Sequence, residues 1–501
     1  MITRREFLEW TARLSGAAVA LEGCRGKPAL APAVQGGEMV NDVHSQLNAT
    51  SVAEIYRPTS VGALQRAVRT VGANRGGLCI AGGRHAMGGQ QFASGATLVD
   101  MNGLSKVLEF DRAKGEIEVE AGIQWPELYA YLQSSQSDTS KPWAFVQKQT
   151  GADRLSIGGA LSANAHGRGL TRPPMVGDVA AFTLMDAQGK LRRCSRTENA
   201  ELFRLAIGGY GLFGVMTTVR LRLTPRHKVQ RTVEVIDLDK LPGMFERRIA
   251  EGYQYGDFQF ATDLDSDALL HRGVFSCYKP VDDATPMPEV RKQLSVDNWK
   301  ELLYLAHMDR AKGFQMYAGY YLTTSGQYYY SDEHQMSTYV DDYHHALGDR
   351  LGDYQHGGEM ITEIYVPRTE LVSFLDAVRT DFRTNRAELI YGTIRLIQRD
   401  TETMLAWAKQ PYAAVIFNLH VHPTPEGIEK AKGDFRLLID RGLERGGSFY
   451  LTYHRWAEHA QLLSAYPQFP EFLRAKRRLD PDERFQSEWY RHYRRMFADQ
   501  L

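Results

Sequence analysis

Residues 81–90 combine glycine, arginine and histidine directly after a short apolar strand at 78–80. Glycine permits positive φ and close backbone approach, so successive N–H groups of this loop can converge on an anion such as a pyrophosphate. The loop lacks the Gly-Lys-Ser/Thr of a Walker loop and does not open a helix as a GxGxxG fingerprint does. A tight turn without a ligand is the alternative. The candidate binding residues are Gly82, Gly83, Arg84, His85, Ala86, Met87, Gly88 and Gly89.

Two further clusters of small residues follow along the chain. Residues 156–167 read SIGGALSANAHG, which suits a backbone lying flat against a planar ligand, and residues 206–215 read AIGGYGLFGV, a glycine-rich turn before a strand. Each cluster alone could be a structural turn. Three clusters in this order indicate one shared ligand site. The candidate residues are Ser156, Gly158, Gly159, Ser162, His166, Gly167, Gly214 and Val215.

Composition narrows the function further. The chain has 501 residues, 43% hydrophobic and 24% charged, which is typical of a globular protein with two or more domains. Sixty basic and sixty acidic residues give a formal net charge of zero, so we expect no nucleic-acid partner. The four cysteines form no CxxC pair, so we expect neither a disulfide scaffold nor a metal site. No run beyond the N-terminus reaches the ~18 apolar residues of a membrane-spanning helix.

The elements that must position these clusters read as α+β. The pattern predicts a strand at 53–57 and a helix from 61 whose apolar residues Val61, Leu64, Val68 and Val71 share one face. Residues 116–121 alternate in the manner of a strand, as do residues 215–223, which end this first unit. After Pro225 the chain becomes richer in tyrosine, histidine and phenylalanine, and from Tyr466 it becomes helical and basic.

The three clusters together resemble the FAD-binding (PCMH-type) domain of the vanillyl-alcohol oxidase superfamily, over residues 48–226. In that family the first loop wraps the FAD pyrophosphate, the Gly-Gly…His-Gly segment lies along the flavin, and a Gly-x-x-Gly-Val turn closes the domain. The resemblance implies an α+β fold: a two-subdomain FAD-binding domain, then an α/β substrate (cap) domain with an antiparallel sheet at 227–460. It also implies a C-terminal helical return at 461–501, with Tyr490 as a further cofactor contact.

The resemblance also implies how the cofactor is held. Relatives often carry FAD through a covalent bond between a first-loop histidine and the methyl group of the isoalloxazine ring, and His85 stands at that position. A neutral imidazole nitrogen is a suitable nucleophile for such a bond. A histidine that only hydrogen-bonds near the phosphates is the alternative. Residues 153–156 hold no cysteine, so a second covalent attachment is not expected.

The second half resembles, less specifically, the substrate domains of sugar-lactone (aldonolactone) and polyol oxidases. The matching pieces are residues 363–368, 393–397 and 480–485, followed by Tyr490. Polyol-oxidising relatives pair a glutamate with the strand arginine, whereas this chain has Thr393 two residues before Arg395. This difference leaves the substrate open.

Two strands of the second half are predicted to line the active site. Period-2 alternation puts Tyr391, Thr393 and Arg395 on one face, and Asn418, His420 and His422 on one face of the next strand. In relatives such polar faces point at the substrate. Arg395 would stabilise a developing alkoxide, with Thr393 beside it, and His420 or His422 would accept the hydroxyl proton. Polar faces that meet only water are the alternative.

These residues predict an FAD-dependent oxidoreductase that removes hydride from a CH–OH carbon of a small molecule, with oxygen or another acceptor reoxidising the flavin. Two alternatives remain at this point. Relatives of this architecture include flavin-dependent reductases of C=C bonds, such as sterol reductases, and a flavin fold can also serve as a non-catalytic binding protein. The sequence does not decide between oxidase and dehydrogenase.

Residues 1–33 resemble a twin-arginine export signal, with Arg4 and Arg5 before a modest apolar stretch and Ala31-Pro32-Ala33 as a cleavage site. We therefore expect a periplasmic or extracellular protein that meets the export machinery only through its N-terminus. Cys24 is a conceivable lipid-anchor site. A short amphipathic helix on a cytoplasmic protein is the alternative.

Overall fold

The structure is a computed structural model, and it combines helices with parallel and antiparallel sheets. This confirms the predicted mixed fold with antiparallel sheets. The predicted signal, its cleavage site and Cys24 lie outside the described residues. Within the described residues, no helix has both the length and the apolar character needed to cross a membrane. The structure describes residues 37–71, 76–337, 347–348, 350 and 358–501.

The described part of the chain starts with an antiparallel strand pair, β1–β2, and a three-stranded parallel sheet in the order β3-β5-β4. Parallel strands need a crossover connection, and helix α1 (Val61–Thr70) connects β3 to β4, which lie on either side of β5. Ser60 begins α1 by accepting a hydrogen bond from the Ala63 N–H. The strands are β1 (Glu38–Val40), β2 (Thr50–Val52), β3 (Glu54–Tyr56), β4 (Leu78–Ala81) and β5 (Thr97–Asp100).

A six-stranded antiparallel sheet follows, in the order β10-β9-β11-β7-β6, with β8 paired to the far end of β11. Its strands alternate as the sequence predicts, because Ile117 and Val119 enter a buried cluster with Val219 and Leu221. The strands are β6 (Val107–Asp111), β7 (Glu116–Glu120), β8 (Trp143–Phe145), β9 (Val179–Met185), β10 (Leu191–Ser195) and β11 (Val215–Pro225). The helices are α2 (Trp125–Ser134), α3 (Ile157–Ser162) and α4 (Ala200–Ala206).

The second half is built on an eight-stranded antiparallel sheet in the order β15-β12-β14-β13-β17-β18-β16-β19. One face is apolar: Ile364, Ile394 and Phe417 share a buried cluster with Phe374 of α8 and Phe435 of α9. The strands are β12 (Lys228–Asp237), β13 (Tyr255–Phe260), β14 (Arg272–Pro280), β15 (Tyr328–Tyr330), β16 (Gly358–Pro367), β17 (Leu389–Ile397), β18 (Tyr412–Val421) and β19 (Ser448–Phe449). The helices are α5 (Leu241–Ala250), α6 (Val296–Met308), α7 (Arg310–Thr323), α8 (Leu371–Asn385) and α9 (Pro425–Leu443).

The last helices return the chain to the N-terminal sheet. A buried ion pair between Lys476 and Asp480 closes the end of α11, and the Phe485 N–H also donates to Asp480. The segment that follows pairs with β4. The Leu78 N–H donates to the Arg484 carbonyl (2.6 Å), and the Gln486 N–H donates to the Leu78 carbonyl (2.7 Å). The helices are α10 (His459–Ala465), α11 (Phe469–Leu479) and α12 (Glu488–Met496).

Candidate active site

A cavity of about 650 Å³ lies between the glycine-rich segments of the first half and the polar face of the eight-stranded sheet. This volume falls within the roughly 300–1,000 Å³ of clefts that hold small molecules and cofactors. All three glycine clusters reach it, so three segments far apart in the chain share one site. Strands β13, β16, β17 and β18 provide the opposite wall.

The first loop packs so closely on the second cluster that only glycine fits. A Cβ at Gly82 would lie 2.0 Å from Ser156 Oγ, and a Cβ at Gly83 would lie 2.2 Å from the Arg154 carbonyl oxygen. Arg84, the next residue, has φ +58° in the left-handed region. The chain then turns His85 into the cavity. The two glycines therefore bring two binding segments to one wall.

Residues 41–48 pack against this loop and hold its backbone in place. The Val43 N–H donates to the Arg84 carbonyl (3.1 Å), and Asn48 Nδ2 donates to the Met87 carbonyl (2.6 Å). His44 lies in this segment and places Nε2 2.8 Å from His85 Nδ1. The sequence-based interpretation did not find the role of residues 41–48, because a short polar loop carries no periodic signal.

His85 lies in an environment that disfavours its charged form. Burial, together with repulsion from His44, lowers the pKa of His85 to about 3. At neutral pH the ring is therefore uncharged, and one nitrogen carries a lone pair. This is the state that a nucleophilic imidazole requires.

The second cluster forms the short helix α3. Ser156 begins α3 by accepting a hydrogen bond from the Gly159 N–H (3.2 Å). A Cβ at Gly158 would lie 2.8 Å from the Ala121 Cβ, so glycine lets α3 approach the end of β7. Gly158, Gly159 and Ser162 all line the cavity.

Of the predicted cofactor residues, twelve line the cavity and five do not. Gly88 packs against the Tyr453 carbonyl, Gly89 against Arg455, and Gly167 against the Lys148 carbonyl. Val215 belongs to the apolar core, and Tyr490 donates to Glu483 Oε1 (2.6 Å) in the C-terminal helices. These five support the walls rather than line them. The twelve are Gly82, Gly83, Arg84, His85, Ala86, Met87, Ser156, Gly158, Gly159, Ser162, His166 and Gly214.

The predicted faces of β17 and β18 agree with the structure. Tyr391, Thr393 and Arg395 line the cavity, and Asn418 lies beside Tyr391 in the neighbouring strand. Phe417 is fully buried on the opposite face. The period-2 rule therefore located the wall of the cavity correctly.

His420 and His422 do not line the cavity, although they lie on the predicted face of β18 or just beyond its end. His422 Nε2 is 2.9 Å from Glu388 Oε1, and the His307 ring lies 5.3 Å from that of His420. Burial and the neighbouring His307 lower the pKa of His420 to about 4. Their predicted role as proton acceptors lacks the necessary geometry, because the cavity ends before them.

The wall holds instead a pair made of His166, which the sequence predicted as a cofactor contact, and Glu363, to which it gave no role. His166 Nε2 lies 2.5 Å from Glu363 Oε1, and both residues line the cavity. His166 Nδ1 donates to the Gly167 carbonyl (3.0 Å). Since Nδ1 is the donor to a carbonyl, Nε2 faces the carboxylate directly and the two residues form one acid–base pair. Tyr453 donates to the second oxygen, Glu363 Oε2 (3.3 Å).

Polar atoms on the cavity walls lack partners. Among the residues that the structure describes, these atoms are buried and make no hydrogen bond, which costs about 1–3 kcal/mol each unless a ligand or water pairs with them. They come from four strands, one loop and one 3-10 turn that face the same space. A ligand rich in hydroxyl groups would satisfy both donors and acceptors here. The atoms are Arg168 Nε, Gln259 Oε1, His334 Nδ1 and Nε2, Glu359 Oε1, Thr393 Oγ1, Arg395 Nε and Asn418 Oδ1.

Three arginines lie on the cavity wall and differ in their partners. Arg395 is 5% exposed, and no carboxylate of the described part of the chain lies within ion-pair distance of it. Arg231 is held by Tyr278 and Thr324 through neutral oxygens, with Nε donating to Tyr278 Oη at 2.8 Å. Arg168, in contrast, pairs with Asp257 at 3.0 Å. A buried guanidinium without a counter-ion favours partial negative charge on a bound ligand.

Comparison with known proteins identifies the domain that contains the first two glycine clusters. Residues 52–195 match the family model of an FAD binding domain. The chain thus carries an FAD-binding domain over this region, as the glycine clusters predicted, and it resembles FAD-dependent oxidoreductases. Its cofactor is FAD.

The chain is similar to several oxidoreductases of known sequence. The chain is 24% identical over 441 residues (85% of the chain, 90% of the relative) to an uncharacterized oxidoreductase of the fasciation locus of Rhodococcoides fascians. It is 28% identical over 177 residues to mouse L-gulonolactone oxidase and 33% identical over 147 residues to rice cytokinin dehydrogenase 3. These two matches cover 35% and 28% of this chain and only 38% and 27% of the relatives' lengths.

Proposed function

We propose that this protein oxidises a CH–OH group of a polyhydroxylated small molecule of the sugar, lactone or polyol type. The observation that carries the proposal is the set of unpaired polar atoms around Arg395 on the cavity wall. A hydroxyl-rich substrate offers both donors and acceptors to these atoms, whereas a sterol-like substrate of a C=C reductase would leave most of them unpaired. Likeness to L-gulonolactone oxidase over the FAD-binding part supports the same choice.

The cavity fits FAD on the side of the glycine clusters. The loop at 82–87 and helix α3 offer backbone N–H groups suited to the pyrophosphate, and the small residues 158–163 suit a planar ring. The neutral His85, which faces this space, would hold the flavin covalently. When bound, FAD supplies the two-electron acceptor for hydride.

Side chains on the other walls of the cavity would bind the substrate and accept its proton. Arg395 would orient the substrate hydroxyl and stabilise the negative charge that develops on its oxygen. The Glu363 carboxylate would accept the hydroxyl proton at Oε2, the oxygen that does not contact His166. Thr393 Oγ1, which has no partner in the described structure, would position the substrate beside Arg395.

We also propose the domain division implied by the resemblance. Residues 48–226 would form the FAD-binding domain, with the parallel and the six-stranded sheets as its two subdomains. Residues 227–460 would form the substrate domain, and 461–501 the C-terminal return. The close packing of residues 41–48 on the first loop supports an earlier start for the first domain.

A substrate panel tests the proposed reaction. The purified yellow protein would be assayed with sugars, lactones and polyols, with oxygen alone and with an artificial electron acceptor. We expect turnover with at least one hydroxyl substrate, and the acceptor arm separates oxidase from dehydrogenase. Turnover only with a reductant and an alkene substrate would favour the reductase, and a colourless protein would favour a binding protein.

We further propose export of the folded protein by the twin-arginine route. The support is the sequence of residues 1–33 alone. Replacing Arg4 and Arg5 by lysine should keep the protein in the cytoplasm, as measured by cell fractionation. If the protein with both arginines is also entirely cytoplasmic, the proposal is wrong. Labelling with a radioactive fatty acid, compared between the native chain and Cys24→Ala, tests the lipid anchor.

A further inference from the structure

Three polar side chains meet at the end of β17 and β18, outside the cavity. Glu388 immediately precedes β17, His420 lies near the end of β18, and His422 follows it. One ligand atom from each residue lies within 4.8 Å of the other two. The closest pair is His422 Nε2 and Glu388 Oε1, at 2.9 Å, and the two imidazole rings stand 5.0 Å apart at 90°.

The His-x-His spacing explains why the two rings meet. Side chains at i and i+2 along an extended chain point to the same side, so His420 and His422 face one another across a single residue. Glu388 joins them through the antiparallel pairing of β17 and β18, in which the His420 N–H donates to the Glu388 carbonyl (2.9 Å). The backbone geometry that places the three ligands is therefore part of the sheet.

A fourth imidazole stands next to this group. The His307 ring on α6 lies 5.3 Å from that of His420, and its side chain is almost fully buried. His307 Nδ1 lies 2.8 Å from the Leu303 carbonyl, which can only accept, so Nδ1 carries a proton. A backbone carbonyl that fixes the tautomer in this way is typical of metal-ligating histidines.

We propose that Glu388, His420 and His422 bind one divalent d-block cation, with Zn²⁺ as the matching probe. Two imidazoles and one carboxylate are a ligand set that such ions prefer, and Zn²⁺ binds their nitrogen and oxygen atoms at roughly 2.0–2.2 Å. Ligand atoms of a tetrahedral site are then roughly 3.3 Å apart, so small rotations of three partly exposed side chains complete the site. The fourth position falls to water or to His307.

The bound ion would cross-link two neighbouring strands. The ion joins the start of β17 to the end of β18, next to the pairing of Glu359 with His420 across β16 and β18. Glu359 lines the cavity and accepts a hydrogen bond from Asn418 Nδ2 (2.6 Å). The cross-link would therefore stabilise one end of the cavity wall that β16, β17 and β18 form. A bound ion that has no affinity for the unfolded chain stabilises the fold by mass action.

The test measures metal binding directly, on the full-length FAD-loaded protein without an affinity tag. After treatment with a chelator and its removal, Zn²⁺ is titrated calorimetrically, and melting temperature is followed with and without Zn²⁺. We expect one ion per chain in the native protein and a higher melting temperature with the ion. Glu388→Gln and His422→Ala should each weaken binding at least tenfold.

A matched histidine outside the cluster provides the control. His271→Ala removes an imidazole that lies 3.5 Å from Arg379 Nη2, and it should leave Zn²⁺ binding unchanged. Glu388→Gln keeps the shape of the side chain, and an unchanged flavin spectrum verifies that it folds. A native protein that binds less than one Zn²⁺, or cluster variants that bind as tightly as His271→Ala, would overturn the proposal, and the contact would then be an ion pair only.

Discussion

Arg395 combines deep burial, a position in the middle of β17 and an Nε atom without a partner in the described structure. These properties are costly for folding, and a bound substrate would offset part of the cost. Single residues with such unsatisfied groups therefore locate the chemistry of this protein better than its overall charge does.

We expect Arg395→Ala to reduce turnover by about 10²–10³-fold, because one charged donor to the developing alkoxide is lost. The measurement is steady-state kinetics on a substrate found in the panel, with the flavin spectrum as a check on folding. Arg379→Ala, which removes an arginine paired with Asp376 on α8, should retain near-native turnover. Equal rates in the two variants would exclude the assigned role of Arg395.

We expect the flavin to stay with the polypeptide after acid precipitation, because a covalent bond at His85 survives unfolding. The folded His85→Ala variant should still bind the flavin through the glycine loops. It should release the flavin when it is precipitated. Flavin fluorescence of the pellet and of the supernatant measures both. Complete release from the unmodified protein would show that the attachment is not covalent.

At the scale of elements, the close packing of the first loop on the second cluster controls cofactor binding. We expect Gly83→Ala to lower FAD content strongly, because its Cβ would lie 2.2 Å from the Arg154 carbonyl oxygen and would push the two segments apart. Gly243→Ala in α5 meets nothing within 4 Å, and alanine should stabilise that helix by about 0.5–1 kcal/mol. The ratio of flavin to protein absorbance and chemical denaturation measure these effects.

Equal flavin content in Gly83→Ala and Gly243→Ala would contradict the packing argument. The two variants make the same chemical change, so the comparison separates a steric effect at the site from a general effect of adding a methyl group.

The sequence predicted those parts of the site that depend on local patterns. Glycine spacing indicated the loops, and period-2 alternation put Thr393 and Arg395 on the cavity wall. It could not find the pair of His166 and Glu363, because the two residues are 197 positions apart and meet only in the folded chain. It also could not show where along β18 the cavity ends, which is why His420 was misplaced.

At the scale of the whole molecule, several histidines are buried in their neutral form. Burial is the main cause that lowers the pKa of His454 and of His492 to about 4 and holds that of His334 well below its usual value. The unfolded chain binds these protons at about pH 6.5, whereas the folded chain does not. The free energy of unfolding should therefore fall as the pH falls from about 6.5 towards 4.

We expect His454→Phe to reduce this acid sensitivity. The His454 ring stacks on Trp456 with 4.2 Å between centroids, and phenylalanine keeps that contact while removing the proton site. A pKa difference of this size corresponds to about 3 kcal/mol when fully developed. Chemical denaturation at pH 7 and pH 4.5 measures the change, and a variant that loses as much stability as the native protein would contradict the assignment.

The segment at 484–486 that borders Leu78 also has a consequence for the order of events in the cell. Strand β4 leads into the first loop, yet its neighbour on one side is synthesised about 400 residues later, which takes roughly 20–80 s at bacterial to eukaryotic elongation rates. The loop that carries His85 therefore reaches its final shape only after translation has passed residue 486. Any FAD binding that depends on this shape therefore follows the synthesis of residue 486.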